Sequence, residues 1–325
     1  GPSLGGVLIA GFGWPTIFLV NVPLGLVNLV LAHRYLPVDL PEVRAARVGF
    51  DPVGTLLLAL TLAAYALAMT TGHGHPGPSN LALLLAAAIG AGFFVRVEAG
   101  AESPLIRLSM FRDRALSAGL AMSALVSTVM MATLVVGPFY LSQALGLQTA
   151  MVGLALSAGP LVAALTGVPA GRLVDRVGAH RMTIGGLVGI AGGAFVQSMM
   201  PAGFGVFGYL APIVVMTASY ALFQAANNTA IMAEVRPDQR GVISGMLSLS
   251  RNLGLITGAS VMGAVFDFAA ATADITTAPP EAVATGMHTT FAVAAGLIVL
   301  ALAIGLSIRA GNLPLLALRT PKLVD

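Results

Sequence analysis

Asp175 stands among cations, in the run Gly171-Arg172-Leu173-Val174-Asp175-Arg176-Val177-Gly178-Ala179-His180-Arg181. One carboxylate beside Arg172, Arg176 and Arg181, with glycines for tight turns and close helix approach, suits a charge-assisted latch that closes in one state and opens in another. An ordinary basic loop with a single acid is the alternative reading. Arg251 lies ten residues after Gly241 in an otherwise apolar stretch, roughly 15 Å along a helix rising 1.5 Å per residue. A guanidinium at that depth needs water or a partner. Ser248 and Asn252 offer it a polar surface, and snorkelling to the nearer interface is the alternative. Thr217, Tyr220, Gln224, Asn227 and Asn228 recur at helical spacing, which puts them on one face. That face suits either a polar cavity wall or hydrogen-bonding glue between helices. Ser123, Ser127 and Met130 form a similar stripe with Gly119 and Gly137, and Met122 and Met131 lie alongside. Methionine adapts to varied apolar shapes, yet it is also ordinary core.

Other chemistry finds no support in the residues. Cysteine is absent, which excludes disulfides, thiolate metal sites and a thiol nucleophile. His73 and His75 form a lone His-x-His with no third ligand nearby, too little for a metal site. The expected metal and cofactor content is therefore none. No His or carboxylate pair lies within the apolar segments to build a nucleophile and base, so an intramembrane enzyme is disfavoured. The glycine-rich Gly185–Gly193 stretch follows no strand and reads as helix packing, not as a nucleotide loop. No basic cluster suggests nucleic acid.

The elements that must position these residues are membrane helices. Of the 325 residues, 57% are hydrophobic and only 9% charged, against roughly 25% charged in soluble domains. Residues 52–95, 115–171 and 182–233 contain no Asp, Glu, Lys or Arg. A crossing helix needs about 20 apolar residues, so each run fits two crossings and a turn. The turns fall at Thr71–Asn80, Ser142–Gly146 and Pro201–Gly203. Single crossings fit 15–36, 241–266 and 287–309, and residues 1–12 resemble the end of another. The expectation is all-α, nine full spans plus one partial span, since bilayer backbone must satisfy its own hydrogen bonds. Numbering the gaps alternately puts every Lys and Arg except Arg251 on one side, which the positive-inside rule makes cytoplasmic, C-terminus included. The opposite gaps carry Asp267, Asp274 and Glu281.

With the spans placed, the 171–181 run resembles the Gly-x-Leu-x-Asp-Arg-x-Gly-x-Arg-Arg signature of the major facilitator superfamily, with Ala179 and His180 departing mildly. Gly1-Pro2-Ser3-Leu4-Gly5-Gly6 is similar to the Gly-Pro-x-x-Gly-Gly stretch of that superfamily's drug antiporters. Trp14 to Gly25 resembles the sixth helix of the fourteen-helix drug:proton branch, and two extra spans at 51–71 and 80–97 match its inserted pair. Gly254 and Gly258, followed by Gly263, read as a small-residue packing face that echoes Gly1 to Gly6.

The resemblance implies a major facilitator fold. Residues 1–36 would end a first six-helix bundle, with 37–50 a cytoplasmic loop and 51–98 the inserted helices. Residues 99–114 would be a connector, 115–310 the second bundle and 311–325 a cytoplasmic tail. It also implies a fragment lacking the first four and a half helices, which alone would insert without transporting. The function it implies is alternating-access export of small hydrophobic or cationic compounds by proton antiport. The setting would be the lipid bilayer of a bacterial inner membrane, and the protein a monomer. A narrow exporter of one metabolite or antibiotic, or an inactive truncated chain, are the competing readings.

Overall fold

The computed structural model describes residues 13, 15–35, 51–71, 77–101, 103–233, 235–271 and 278–316. Ten α-helices occur among them. Two short ones, α1 (Thr16–Leu19) and α2 (Asn21–Tyr35), meet at Val20 where a span over 15–36 is expected. Then come α3 (Pro52–Thr70), α4 (Pro78–Gly100), α5 (Arg114–Phe139), α6 (Thr149–Val177) and α7 (Ala179–Ser198). The last three are α8 (Gly205–Met232), α9 (Arg240–Ala270) and α10 (Pro280–Leu316).

Seven helices are long and apolar enough to cross a membrane: α3, α4, α5 with its following turn, α6, α8, α9 and α10. Helix α7 is not among them, although a crossing was expected there. Arg181, Gln197 and its glycines dilute its hydropathy, while its packing compensates. Gly186 and Gly193 lie against Phe223 and Met216 of α8, and Leu187, Ile190 and Ala194 are wholly buried.

Local chemistry sets the helix ends. Asp51 caps α3 through a 2.8 Å bond from the Gly54 amide, with Pro52 in the first turn. Asp113 caps α5 by accepting from the amides of Ala115 and Leu116 at 2.8 and 3.2 Å. The α3–α4 hairpin is sealed by Asn80, whose amide donates to the Ala68 carbonyl at 2.8 Å. Pro138 lacks the amide that would continue the α5 ladder, and the chain widens into a π turn over Tyr140–Ala144.

Helices α5 to α10 pack as one bundle. Helix α5 lies along α9 and α10, and α8 lies along α6 and α7. Val126, Val129, Met216, Phe223, Phe266, Phe291 and Ile298 fill the centre with at most 1% exposure. The α3–α4 hairpin docks on α9, where the Tyr65 hydroxyl hydrogen-bonds that of Thr257. Helix α2 contributes no buried residue.

Candidate functional site

The run 171–181 is helical almost throughout, correcting the expectation of a loop. Gly171, Arg172, Asp175 and Arg176 lie in the last turns of α6, and Arg181 in the first turn of α7. The reversal takes one residue, Gly178, at φ 100°, in the region that favours glycine. Gly171 has nothing within 4 Å of where a side chain would start, so the close approach expected of it is not made. The expected ion pairing is not formed either. Asp175, Arg172, Arg176 and Arg181 are all exposed, and among the described residues no salt bridge joins them. On an exposed surface, long side chains gain little from one fixed pairing.

Arg251 does have a partner within the chain. Its Nη1 donates to Gln224 Oε1 at 3.5 Å, and Gln224 Nε2 donates in turn to the Tyr220 hydroxyl. All three are half-buried, so they form a short polar chain from α9 to α8 that stays reachable from outside the bundle. Residue types suggested the polar character but not this pairing. Residues 27 positions apart meet only once α8 and α9 are placed.

The remaining cavity candidates divide. Asn227 is buried and donates to the Gly119 carbonyl of α5 at 3.1 Å, so it ties two helices together, and it also lines a small cavity with Met122, His180 and Thr183. Asn228, the next residue, is exposed, because one step turns about 100° around a helix. Thr217 is buried at 7% exposure. Ser123 and Ser127 are buried on α5 at 9% and 1%, with Ser127 in the contact with α9. Met130 packs against the main core, the ordinary alternative for that residue.

Gly254 and Gly258 form the α5–α9 seam. A Cβ at Gly254 would run into the Ala124 carbonyl and stand 2.8 Å from Ser127 Cβ. At Gly258 it would meet the Thr128 carbonyl and stand 2.8 Å from Met131 Cβ. Two bonds that the residue pattern did not single out reinforce the seam: Thr128 Oγ1 to the Gly254 carbonyl at 3.0 Å, and Ser250 Oγ to the Leu120 carbonyl at 2.6 Å. Backbones this close admit side-chain-to-carbonyl bonds between helices, which substitute for water in an apolar setting.

A cavity of about 1120 Å³ opens elsewhere, between the α3–α4 hairpin and the far ends of α9 and α10. Its walls are largely apolar, including Leu84, Val265 and Val293. Gly1, Pro2, Gly5 and Gly6 lie outside the described residues, as do His73 and His75. Among the described residues no group of three or more His, Asp or Glu is placed to hold a metal ion.

The chain matches the family model described as Major Facilitator Superfamily over residues 1–259 and again over 120–317. It is 31% identical over 267 residues to the uncharacterized transporter YebQ of Escherichia coli, covering 81% of this chain and 57% of that protein. Identity is 28% to the riboflavin transporter RibZ of Clostridioides difficile, over 82% of this chain and 57% of RibZ. It is also 28% to the multidrug resistance protein Stp of Mycobacterium tuberculosis, over 82% and 49%. The chain thus spans about half the length of these relatives. Among solved structures, a mutant of the nucleoside transporter NupG superposes with a TM-score of 0.52 at 16% identity, covering 94% of this chain and 86% of that one. That likeness concerns the fold.

Proposed function

The chain belongs to the Major Facilitator Superfamily, an all-α membrane family, and from that premise we propose that it serves proton-coupled export of small hydrophobic or cationic compounds. Export would proceed by alternating access across a bacterial inner membrane, with the C-terminus cytoplasmic. The observation that carries this reading is the Arg251–Gln224–Tyr220 chain. A guanidinium held inside a membrane bundle by a neutral amide, and left half-accessible, keeps hydrogen-bonding capacity for a transported molecule or a coupling acid. The multidrug resistance proteins among the relatives support the broad substrate class. The lipid bilayer is the partner this reading requires, and a monomer suffices for it. Nucleic acid has no part in it, nor does any cofactor beyond the proton.

A second reading, a narrow-specificity exporter on the same fold, is favoured by the riboflavin transporter among the relatives. The test uses everted membrane vesicles carrying the protein in its full reading frame, with an imposed proton gradient and lipophilic cationic dyes added in turn. Proton efflux triggered by several unrelated dyes is the expected result. A response to none of them would remove the multidrug reading and leave the narrow one.

A further inference from the structure

Two carboxylates meet at the foot of the α3–α4 hairpin, away from the Arg251 chain. Asp51 precedes α3, and Glu98 lies one residue past the stretch 80–97, beside the connector to α5. Glu98 is only 3% exposed. Asp51 Oδ2 and Glu98 Oε1 are both buried and both lack a hydrogen-bond partner. They face one another across Gly54. A Cβ on that glycine would collide with Asp51 Oδ2 and stand 2.8 Å from Glu98 Oε1. The other oxygen of each acid is in use: Asp51 Oδ1 caps α3, and Glu98 Oε2 accepts from the Ile106 amide at 3.4 Å.

Among the described residues no cation balances the pair. The charged groups on the surrounding elements are Arg96 on α4, Arg107, Arg112 and Asp113 on the connector, and Arg114 at the start of α5. Asp238 and Arg240 stand at the start of α9. All are exposed, none bonds either carboxylate among the described residues, and Asp113 is occupied as a cap. Burying two carboxylates around one glycine without a counter-charge disfavours ionising both. The backbone groups nearest Glu98 are amide donors from the connector, which would repel a metal cation and suit a carboxyl–carboxylate pair.

We propose that Asp51 and Glu98 form a proton-binding site, one proton bridging Asp51 Oδ2 and Glu98 Oε1, that holds the connector 103–113 against the hairpin. Releasing that proton to cytoplasmic water leaves two buried negative charges and drives the connector off. The sign follows from linkage. The docked connector keeps the proton and the undocked one releases it, so docking weakens as pH rises above the ordinary carboxyl range. For one proton the limit is about tenfold per pH unit. Nothing in this assignment rests on the transport reading.

The experiment is hydrogen exchange at Leu105 and Ile106 as a function of pH, with the full chain in lipid nanodiscs, against Glu98→Gln and Asp51→Asn. Glutamine mimics the protonated acid, and asparagine still caps a helix. The expected result is protection in the wild type that falls up to about tenfold per pH unit, with Glu98→Gln flat and the dependence reduced in Asp51→Asn. Equal pH dependence in all three proteins would overturn the assignment. So would restoration of wild-type protection at alkaline pH by Na⁺ or Mg²⁺, which would make this a metal site. Should a variant fail to fold, the wild type alone decides. Its infrared spectrum must show a protonated carboxyl band at neutral pH that disappears on alkaline titration, and absence of that band ends the proposal.

Discussion

Arg251 and Asn227 show how two polar residues of similar appearance in the sequence take different work. Asn227 is buried and bonded to a carbonyl of another helix, so its role is cohesion. Asn227→Ala leaves the Gly119 carbonyl without its donor, and the expected cost is about 1–3 kcal/mol, read as a loss of unfolding stability in detergent. Substrate recognition should change little beyond that. Arg251 is half-exposed and holds a neutral partner, and the transport reading proposed above gives it a role in interaction. Arg251→Gln is expected to lower substrate-linked proton flux at least about tenfold, the loss of one charge-assisted contact. Arg251→Lys should fall between, because an ammonium keeps the charge but not the planar fork. Normal flux in both variants, measured in everted vesicles, would remove Arg251 from the site.

The seam between α5 and α9 is the element whose spacing has the least tolerance. Alanine at Gly254 or Gly258 meets backbone carbonyls of α5, and backbone cannot rotate aside as a side chain would. Each substitution should cost about 1–3 kcal/mol by overpacking. The two together should separate α9 from α5 enough to weaken the Thr128 and Ser250 bonds. Thermal unfolding in detergent measures the first effect, and cross-linking of cysteines placed on the two helices measures the second. The α5 cap is milder: Asp113→Ala loses two accepted amide bonds and should cost about 1 kcal/mol. The small-residue face was legible from Gly254 and Gly258 alone. Its partner was not, because any helix of the bundle satisfies a small-residue pattern equally well.

At the scale of the molecule, the charge distribution predicts an orientation in which the α6–α7 reversal lies on the cytoplasmic side. The chain contains no cysteine, so single cysteines can report sidedness without background. A cysteine at Gly178 should react with an impermeant thiol reagent from the cytoplasmic side, and one at Gly203 from the opposite side. The reverse pattern would invert the topology. Asp175, exposed at the end of α6, is free to pair in another conformation. Asp175→Asn is expected to slow exchange between transport states while leaving substrate binding intact. Equal loss of both would make the residue structural.

The positions of most of the long helices were legible in the sequence, because the cost of placing charge in hydrocarbon leaves few ways to thread sixteen basic residues and long apolar runs through a membrane. The family was legible for the same local reason, in motifs a few residues long. Tertiary structure decided which polar residues line a surface and which tie helices together. Asn227, Gln224 and Asn228 carry similar chemistry, and only the neighbouring helix determines whether each meets a carbonyl, a guanidinium or open space. It also decided the meeting of Asp51 with Glu98. Each stood in the sequence as an unremarked charge at the edge of an apolar run, and hairpin closure buried them together around Gly54. Helix periodicity is a property of consecutive residues, while a partner is a property of packing.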